Sequence, residues 1–171
     1  MAKHGDSPKK EKKERVESDL SEKVLCINRC CKVVKGGRKF SFSALILVGD
    51  GKGRVGYGFA KANELTDAIR KGGESARKRL IRCAQEGTTI PHEIIVHFDG
   101  ATILLKPAPA GSGIVAGSKI RDVLKFAGYQ DVMAKSLGAN NPINQVKATF
   151  EAIEKLSARS EIKQKRGIGG E

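Results

Sequence analysis

The sequence predicts an α+β protein built from two small domains, β-β-β-α followed by β-β-α-β-α. Short apolar, β-branched segments end at glycine or Asp-Gly turns, and helical patterns with apolar residues three or four positions apart follow them. The charge also divides the chain, since residues 28–82 carry 14 basic and 4 acidic residues, whereas residues 83–171 carry 11 and 9.

Composition sets the predicted boundaries. Residues 1–21 are predicted to form a disordered charged tail, because they contain almost no apolar side chains. Residues 22–85 form the first domain and residues 86–158 the second, with a polar linker at 84–91 that ends in a proline. Residues 159–171 are predicted to form a frayed C-terminal tail.

The first domain begins with two strands joined by a basic glycine turn. Residues 23–34 alternate irregularly and predict a strand that bends or bulges. At Lys35–Arg38 two glycines lie among four nearby basic residues, which favours a phosphate-contacting loop over an ordinary hairpin turn. Residues 40–44 alternate, and residues 45–48 are apolar on both faces, so this strand enters a covered core.

A formal GxGxxG motif, at Gly51, Gly53 and Gly56, follows the second strand. The dinucleotide-binding fingerprint requires a helix to begin inside the motif. Here residues 55–59 alternate as a strand does, and Asp-Gly favours a hairpin turn, so we reject the fingerprint. Gly56 and Gly58 are predicted to leave a flat face where RNA or another backbone lies close.

A helix is predicted from Asn63, which can cap it, to a basic end at Arg77–Arg79. Its predicted packing stripe consists of Leu65, Ile69, Gly72, Ala76 and Leu80.

The second domain opens with a hairpin of residues 94–98 and 101–106 around Asp99-Gly100. A helix with Ser118 as its cap and Gly128 at its end follows, with an apolar face of Ile120, Val123, Leu124 and Ala127. Residues 131–136 form a strand candidate. Asn141-Pro142 begins the last helix, whose buried stripe is Ile143, Val146, Phe150 and Ile153.

The glycine-rich segment Gly111–Ser118 could hold a phosphate with its backbone N–H groups. It loosely resembles the phosphate loop of the small-molecule kinases that include galactokinase and mevalonate kinase. The paired serines and an acidic base with a lysine partner are missing, so a structural or protein-contacting loop is favoured.

Other chemistry finds little support. The cysteines lack zinc spacing and the histidines lack a nucleophile or carboxylate at suggestive spacing, so we predict no enzyme activity, cofactor or metal. No apolar run is long enough to span a membrane. The concentrated positive charge instead favours a polyanion, bound through counterion release, over an evenly solvated surface or an anionic membrane.

Several motifs together resemble the family of the fifth protein of the bacterial small ribosomal subunit, over about residues 22–157. They are NRCCKVVKGGRKFSFSALILVGDGKGRVGYG, KANELTDAIRK, GATILLKPA, GSGIVAG, VMAKSLG and NNPINQVKAT, in order and with matching spacing. The charged N-terminal extension is not part of this pattern.

The resemblance implies a first domain similar to a double-stranded-RNA-binding module, and a second of the same fold group as the kinases above. It implies a cytoplasmic ribosomal protein, not a homo-oligomer, that binds small-subunit ribosomal RNA and steadies the head against the body. It also implies contact with the fourth and eighth small-subunit proteins and an influence on decoding accuracy. The family's turn near the spectinomycin site matches Lys35–Arg38.

The predicted RNA-binding residues are Arg29, Lys32, Lys35, Gly36, Gly37, Arg38, Lys39, Lys52, Arg54, Gly56, Gly58 and Lys61. The resemblance further implies a contact with the fourth protein through Gly111, Gly113 and Arg121. Two alternatives remain open from the residues: a nucleotide-using enzyme built on the 111–118 loop, and an RNA-binding regulator outside the ribosome.

Overall fold

A computed structural model describes residues 20–167 of the chain, apart from the side chains of residues 160 and 161. All but the last two residues of the predicted N-terminal tail lie outside this range. Within it there are two four-stranded sheets and four helices, which agrees with the predicted α+β class. No helix in the described part is both long and apolar enough to cross a bilayer.

The first sheet is antiparallel, in the order β1-β2-β3-β4. Its strands are β1 (Ser21–Val34), β2 (Gly37–Gly49), β3 (Arg54–Ala62) and β4 (Ile81–Arg82), and helix α1 (Leu65–Lys78) lies between β3 and β4 in the chain. The predicted bulge in β1 is confirmed, because its register against β2 shifts between Val24 and Cys26. The two-residue strand β4 was not predicted.

The middle of β2 is covered on both faces, as its apolar run predicts. Ala44, Ile46 and Val48 pack in one cluster with buried residues of α1. Leu45 and Leu47, which point the other way, join a larger cluster that includes the second domain. The sheet is therefore the middle layer between α1 and the rest of the protein.

Helix α1 lies unusually close to β3 because both contribute glycines. A Cβ added at Gly58 would overlap the backbone carbonyl oxygen of Gly72, and one added at Gly56 would overlap that of Ala76. The buried residues of α1 are Ala68, Gly72, Gly73 and Ala76. The predicted stripe is thus only partly correct, and Leu80 lies beyond the end of the helix.

The predicted helix caps have mixed outcomes. The prediction of Asn63 as a cap was wrong, since Glu64 occupies the N-cap position of α1 without a side-chain hydrogen bond. Ser118 was also wrong, because Gly117 is the N-cap and Ser118 is the first helical residue. Asn141 is confirmed, and its side chain accepts a hydrogen bond of 3.1 Å from the Ile143 N–H.

The second sheet has the order β5-β6-β8-β7, with β7 parallel to β8 and the other pairs antiparallel. Its elements are β5 (Ile94–Phe98), β6 (Ala101–Pro107), β7 (Ile114–Val115), α2 (Ser118–Ala127), β8 (Val132–Ser136), α3 (Pro142–Lys155) and α4 (Arg159–Lys165). Short strand β7 was missed inside the glycine-rich loop. Helix α4 corrects the prediction of a frayed tail for residues 159–165.

The apolar core is continuous between the two sheets. The rings of Tyr57 on β3 and Phe150 on α3 meet edge to face at 4.6 Å between centroids. Polar contacts join the same units, since Lys23 forms a 2.6 Å salt bridge with Asp122 and the Tyr129 hydroxyl donates to the Ala84 carbonyl at 2.8 Å. The division into separate domains at residues 85 and 86 therefore stays a prediction.

Candidate nucleic-acid interface

The outer half of the β1–β2 hairpin, residues 29–42, is a two-stranded arm. The pairing of β2 with β3 ends at Phe42, whereas its pairing with β1 continues to Gly37. Side chains at residues 35–40 are exposed. Gly37 has a φ of +139°, which only glycine adopts readily, and open space surrounds both Gly36 and Gly37. Another molecule can therefore approach the turn closely.

The arm carries five exposed cations and no carboxylate. Residues 23–49 contain no Asp or Glu. Within residues 20–167, none of the arm's cations has a carboxylate at salt-bridge distance; they are Arg29, Lys32, Lys35, Arg38 and Lys39. Their charge is available to an external anion.

One pair of these cations is unfavourable in the isolated protein. Lys32 lies directly opposite Lys39 in the β1–β2 register. Like charges in this position destabilise a strand pair by about 0.2 to 1 kcal/mol. A phosphate between the two ammonium groups would reverse the sign of the interaction, so the pair indicates an anion-binding surface.

The register distributes the predicted cations over two faces. Lys32 and Lys39 share the face that points away from α1, and Lys61 on β3 lies on the same face. Arg29 lies on the α1 side, where its guanidinium carbon is 3.7 Å from the centre of the Phe40 ring. An RNA backbone can therefore contact the arm on either side.

Lys52 and Arg54 lie far from this arm. They follow the opposite end of β2, which has 13 residues and therefore spans about 40 Å. The Arg54 Nε donates to the Asp50 carboxylate at 2.7 Å, and the backbone N–H groups of Lys52 and Arg54 donate to it at 2.8 and 3.0 Å. Arg54 thus holds the turn together, while the Lys52 side chain is exposed.

Asp50 is the acidic centre of that turn. Burial raises the pKa of its carboxyl group, but the hydrogen bonds from Lys52 and Arg54 and the nearby guanidinium charge outweigh this effect, so the net pKa lies below the usual value. From the sequence, Asp50 is predicted only as a turn residue, and Lys52 and Arg54 are both predicted to bind RNA. The ion pair of Arg54 with Asp50 separates the roles of these two cations.

Gly56 and Gly58 are not accessible to RNA, so their assignment to the RNA site was wrong. Both are buried, and the backbone of α1 covers them. RNA or another backbone was predicted to lie close to this flat face, and it is the backbone of α1 that covers it. Alternation along a strand identifies the residues that share a face, but it does not reveal what covers that face.

The Gly111–Gly113 loop already holds an anion, the carboxylate of Asp131. The Gly113 N–H donates to the Asp131 Oδ1 at 2.9 Å, and the residue is only 4 % exposed. Hydrogen bonds from the Gly113 N–H and the Thr88 hydroxyl, with further ones from the N–H groups of residues 111 and 112, lower the pKa of this carboxyl.

This internal carboxylate removes the basis of the kinase alternative. Backbone N–H groups that bind Asp131 cannot also bind a phosphate. Asp131 had been predicted only as the start of a strand, because nothing in the local sequence links it to glycines about 20 residues earlier. Arg121 is exposed, and its Nη2 donates to the Ala116 carbonyl at 2.9 Å, beside the same loop.

The cysteines and histidines form no site in the described part. No group of three His, Cys, Asp or Glu residues there could hold a metal ion. The four cysteines form no disulfide. Burial raises the pKa of the Cys83 thiol to about 12, with a smaller contribution from the Asp50 charge, so this thiol is unreactive at neutral pH.

Two family matches cover most of the chain. Residues 20–83 match the family described as ribosomal protein S5, N-terminal domain, and residues 96–166 match ribosomal protein S5, C-terminal domain. The chain belongs to the ribosomal protein S5 family. The second match includes α4, which lies in the stretch predicted to be a frayed tail.

Curated relatives named small ribosomal subunit protein uS5 agree with this family membership. The protein of Protochlamydia amoebophila is 74 % identical over 168 residues, which cover 98 % of this chain and all of the relative. Those of Chlamydia trachomatis and Chlamydia caviae are 65 % and 67 % identical over 153 residues, covering 89 % of this chain and 93 % of each relative. The resemblance inferred from the motifs is therefore confirmed.

Proposed function

We propose that this chain is a structural, non-enzymatic component of the small ribosomal subunit in the cytoplasm, where it binds ribosomal RNA through the β1–β2 arm. Its membership of the ribosomal protein S5 family supports the assembly. The observation that carries RNA binding is the arm itself, with five exposed cations and no acidic residue between positions 23 and 49.

The arm would bind RNA as a fixed scaffold. Its lysines and arginines neutralise phosphates, and the open space at Gly36 and Gly37 lets the backbone of the turn approach closely. Cations on both faces of a two-stranded ribbon suit a narrow space between RNA segments. Recognition would then depend on the shape of the folded RNA and its 2′-hydroxyl groups rather than on base sequence.

A second surface would contact proteins. Gly111 and Gly113 lie in one loop, which Asp131 holds in place, and Arg121 lies beside it on α2. Gly111 and Arg121 are exposed to solvent. We assign this loop to the fourth small-subunit protein, and we expect a further contact with the eighth. We propose that the protein, by joining RNA and protein neighbours, steadies the head against the body and contributes to decoding accuracy.

Sedimentation of tagged protein from cells tests the proposal. The wild-type chain should co-sediment with the small subunit on a sucrose gradient. Lys35→Glu with Arg38→Glu should reduce this incorporation at least severalfold, because the turn would repel phosphates instead of binding them. Cells that depend on the variant should also misread codons more often in a reporter assay.

Lys125→Glu with Lys135→Glu is a matched control, since both residues are exposed in the second domain and the change in net charge is the same. This control should incorporate normally. Absence of the wild-type chain from the small-subunit peak would contradict the proposal as a whole. Normal incorporation and decoding with the arm variant would contradict the role of the arm alone.

A further inference from the structure

A cleft separates β3 and the end of α1 from β5 and α3. It has a volume of about 520 Å³, within the range of small-molecule sites. Its lining includes three aromatic rings, two cations and a carboxylate, which are Tyr57, Phe98, Phe150, Arg79, Lys147 and Glu154. Leu80, Ile81 and Glu151, which is paired with Lys155, complete the lining. The function proposed above does not use this cleft.

The aromatic rings in the cleft are held in place. The Tyr57 ring meets the buried Phe150 ring edge to face at 4.6 Å, which limits its rotation. The Lys147 ammonium lies 5.2 Å from the centre of the Phe98 ring. Phe59, two residues after Tyr57 on the same face of β3, is 44 % exposed. Together these rings form a stacking surface that leads out of the cleft.

The charges are arranged as a nucleotide requires. Arg79 and Lys147 line the cleft, and Lys61 continues along the same face of β3 beyond Phe59, so a phosphate backbone has cations to follow. Glu154 supplies carboxylate oxygens, which accept hydrogen bonds from the amino group of a base and repel phosphate. Within residues 20–167, none of these four charged residues forms a salt bridge.

We infer that this cleft binds one unpaired nucleobase with an exocyclic amino group, as part of an RNA strand whose backbone runs past Lys61. The inference rests on the proposed RNA-binding function and adds a second, chemically different contact to it. A base within a duplex already stacks on its neighbours, so only a bulged or single-stranded nucleotide can enter. Aromatic stacking then supplies affinity that does not depend on the phosphate charge.

Fluorescence of 2-aminopurine tests the inference on the full chain. The protein contains no tryptophan, so this base analogue can be excited selectively. Binding of a single-stranded RNA nonamer with a central 2-aminopurine should quench its fluorescence. Phe59→Leu with Phe98→Leu should weaken binding about tenfold, as expected for lost base stacking.

Ile95→Ala is the control, because Ile95 is 52 % exposed and lies on the face of β5 opposite to Phe98. This variant should bind within about twofold of the wild type, since it does not touch the stacking surface. Nuclear magnetic resonance on the wild-type protein provides a test without substitution. Added nonamer should shift the ring resonances of Tyr57 and Phe98, and unshifted rings would overturn the inference.

Two further experiments distinguish the possible sources of the fluorescence quenching. The Lys35→Glu, Arg38→Glu variant should keep the quenching although its incorporation into the small subunit is reduced. If this variant loses as much quenching as the Phe59→Leu, Phe98→Leu variant does, the RNA nonamer binds to the arm. The cleft inference then fails, while the proposed function stands. Free 2-aminopurine ribonucleotide binding as tightly as the nonamer, or an all-uridine nonamer competing equally well, would also overturn the inference.

Discussion

The turn at Lys35–Arg38 and the loop at Gly111–Gly113 both contain glycine backbone that could bind an anion. They differ in whether the fold places a carboxylate beside them. The loop has Asp131, which accepts the Gly113 N–H at 2.9 Å. The turn has no acidic residue around it, since residues 23–49 contain no Asp or Glu. A glycine-rich segment therefore predicts an external anion only when the fold brings no internal carboxylate to it.

The turn at Asp50 follows the same rule as the loop. Its carboxylate accepts hydrogen bonds from two backbone N–H groups and from the Arg54 side chain, so the Arg54 charge is already neutralised. Three similar stretches of sequence thus have two different fates. Of these three stretches, the arm is the one whose cations have no carboxylate at salt-bridge distance within residues 20–167.

The largest expected effect is that acid destabilises the two segments that contain an internal carboxylate, Asp50 or Asp131. Folding lowers the pKa of both Asp50 and Asp131, so each carboxylate stabilises the fold above its unfolded pKa of about 3.9, and this contribution is lost as the pH falls through the lower folded pKa. Thermal unfolding between pH 7 and pH 2.5 should show this loss. The Asp50→Asn, Asp131→Asn double variant should have a flatter pH profile, and an unchanged profile would contradict the assignment.

Removing the carboxylate of one turn should have the next largest effect. Asp50→Ala should lower the free energy of unfolding by about 3 kcal/mol, because two backbone N–H groups and part of a guanidinium lose their partner. Urea denaturation measures this change. Asp67→Ala, which removes an exposed salt bridge with Arg70, should cost less than about 0.5 kcal/mol. Equal losses would mean that Asp50 is not structurally special.

Supplying a carboxylate to the arm should make it resemble the other turns. Lys39→Glu places an acid opposite Lys32, which should stabilise the free protein by about 0.5 kcal/mol. RNA affinity should fall about tenfold, and the slope of log K against log salt should shrink by about one. Filter binding at several salt concentrations measures both quantities. With Lys39→Gln, which removes the cation without adding a negative charge, an unchanged affinity and an unchanged salt slope would count against the phosphate contact.

The smallest expected difference is between two glycines. Gly113 has a φ of +68°, so Gly113→Ala should cost about 1 kcal/mol of stability through backbone strain alone. Gly36 has an ordinary φ and open space around it, so Gly36→Ala should change stability by less than about 0.5 kcal/mol. Thermal melts of the two variants compare them directly. A larger loss at Gly36 would reverse this ranking.

Local patterns predicted the local structure well. The apolar run of β2, the cap at Asn141 and the turn at Asp99-Gly100 depend on neighbours within a few residues, and all three agree with the structure. The bulge in β1 was likewise visible as irregular alternation. These features follow from periodicity and turn chemistry, which a sequence displays directly.

The errors have a common cause in long-range contacts. Gly58 meets Gly72 of the helix, and Gly113 meets Asp131, which lies 18 residues away. Neither partner can be identified from the residues around the glycine. The arm was predicted correctly as an exposed basic hairpin because its character depends on the absence of such partners, and the missing acidic residues are visible in the sequence.

The continuous core between the two sheets has a consequence for how the protein unfolds. Leu45 and Leu47 of the first sheet share one apolar cluster with Val123 and Leu124 of α2. Neither half can lose its packing without exposing part of the other, so we expect one cooperative calorimetric transition for the whole described region. Cutting the chain after residue 85 should then yield two fragments that aggregate separately and regain solubility only when they are refolded together.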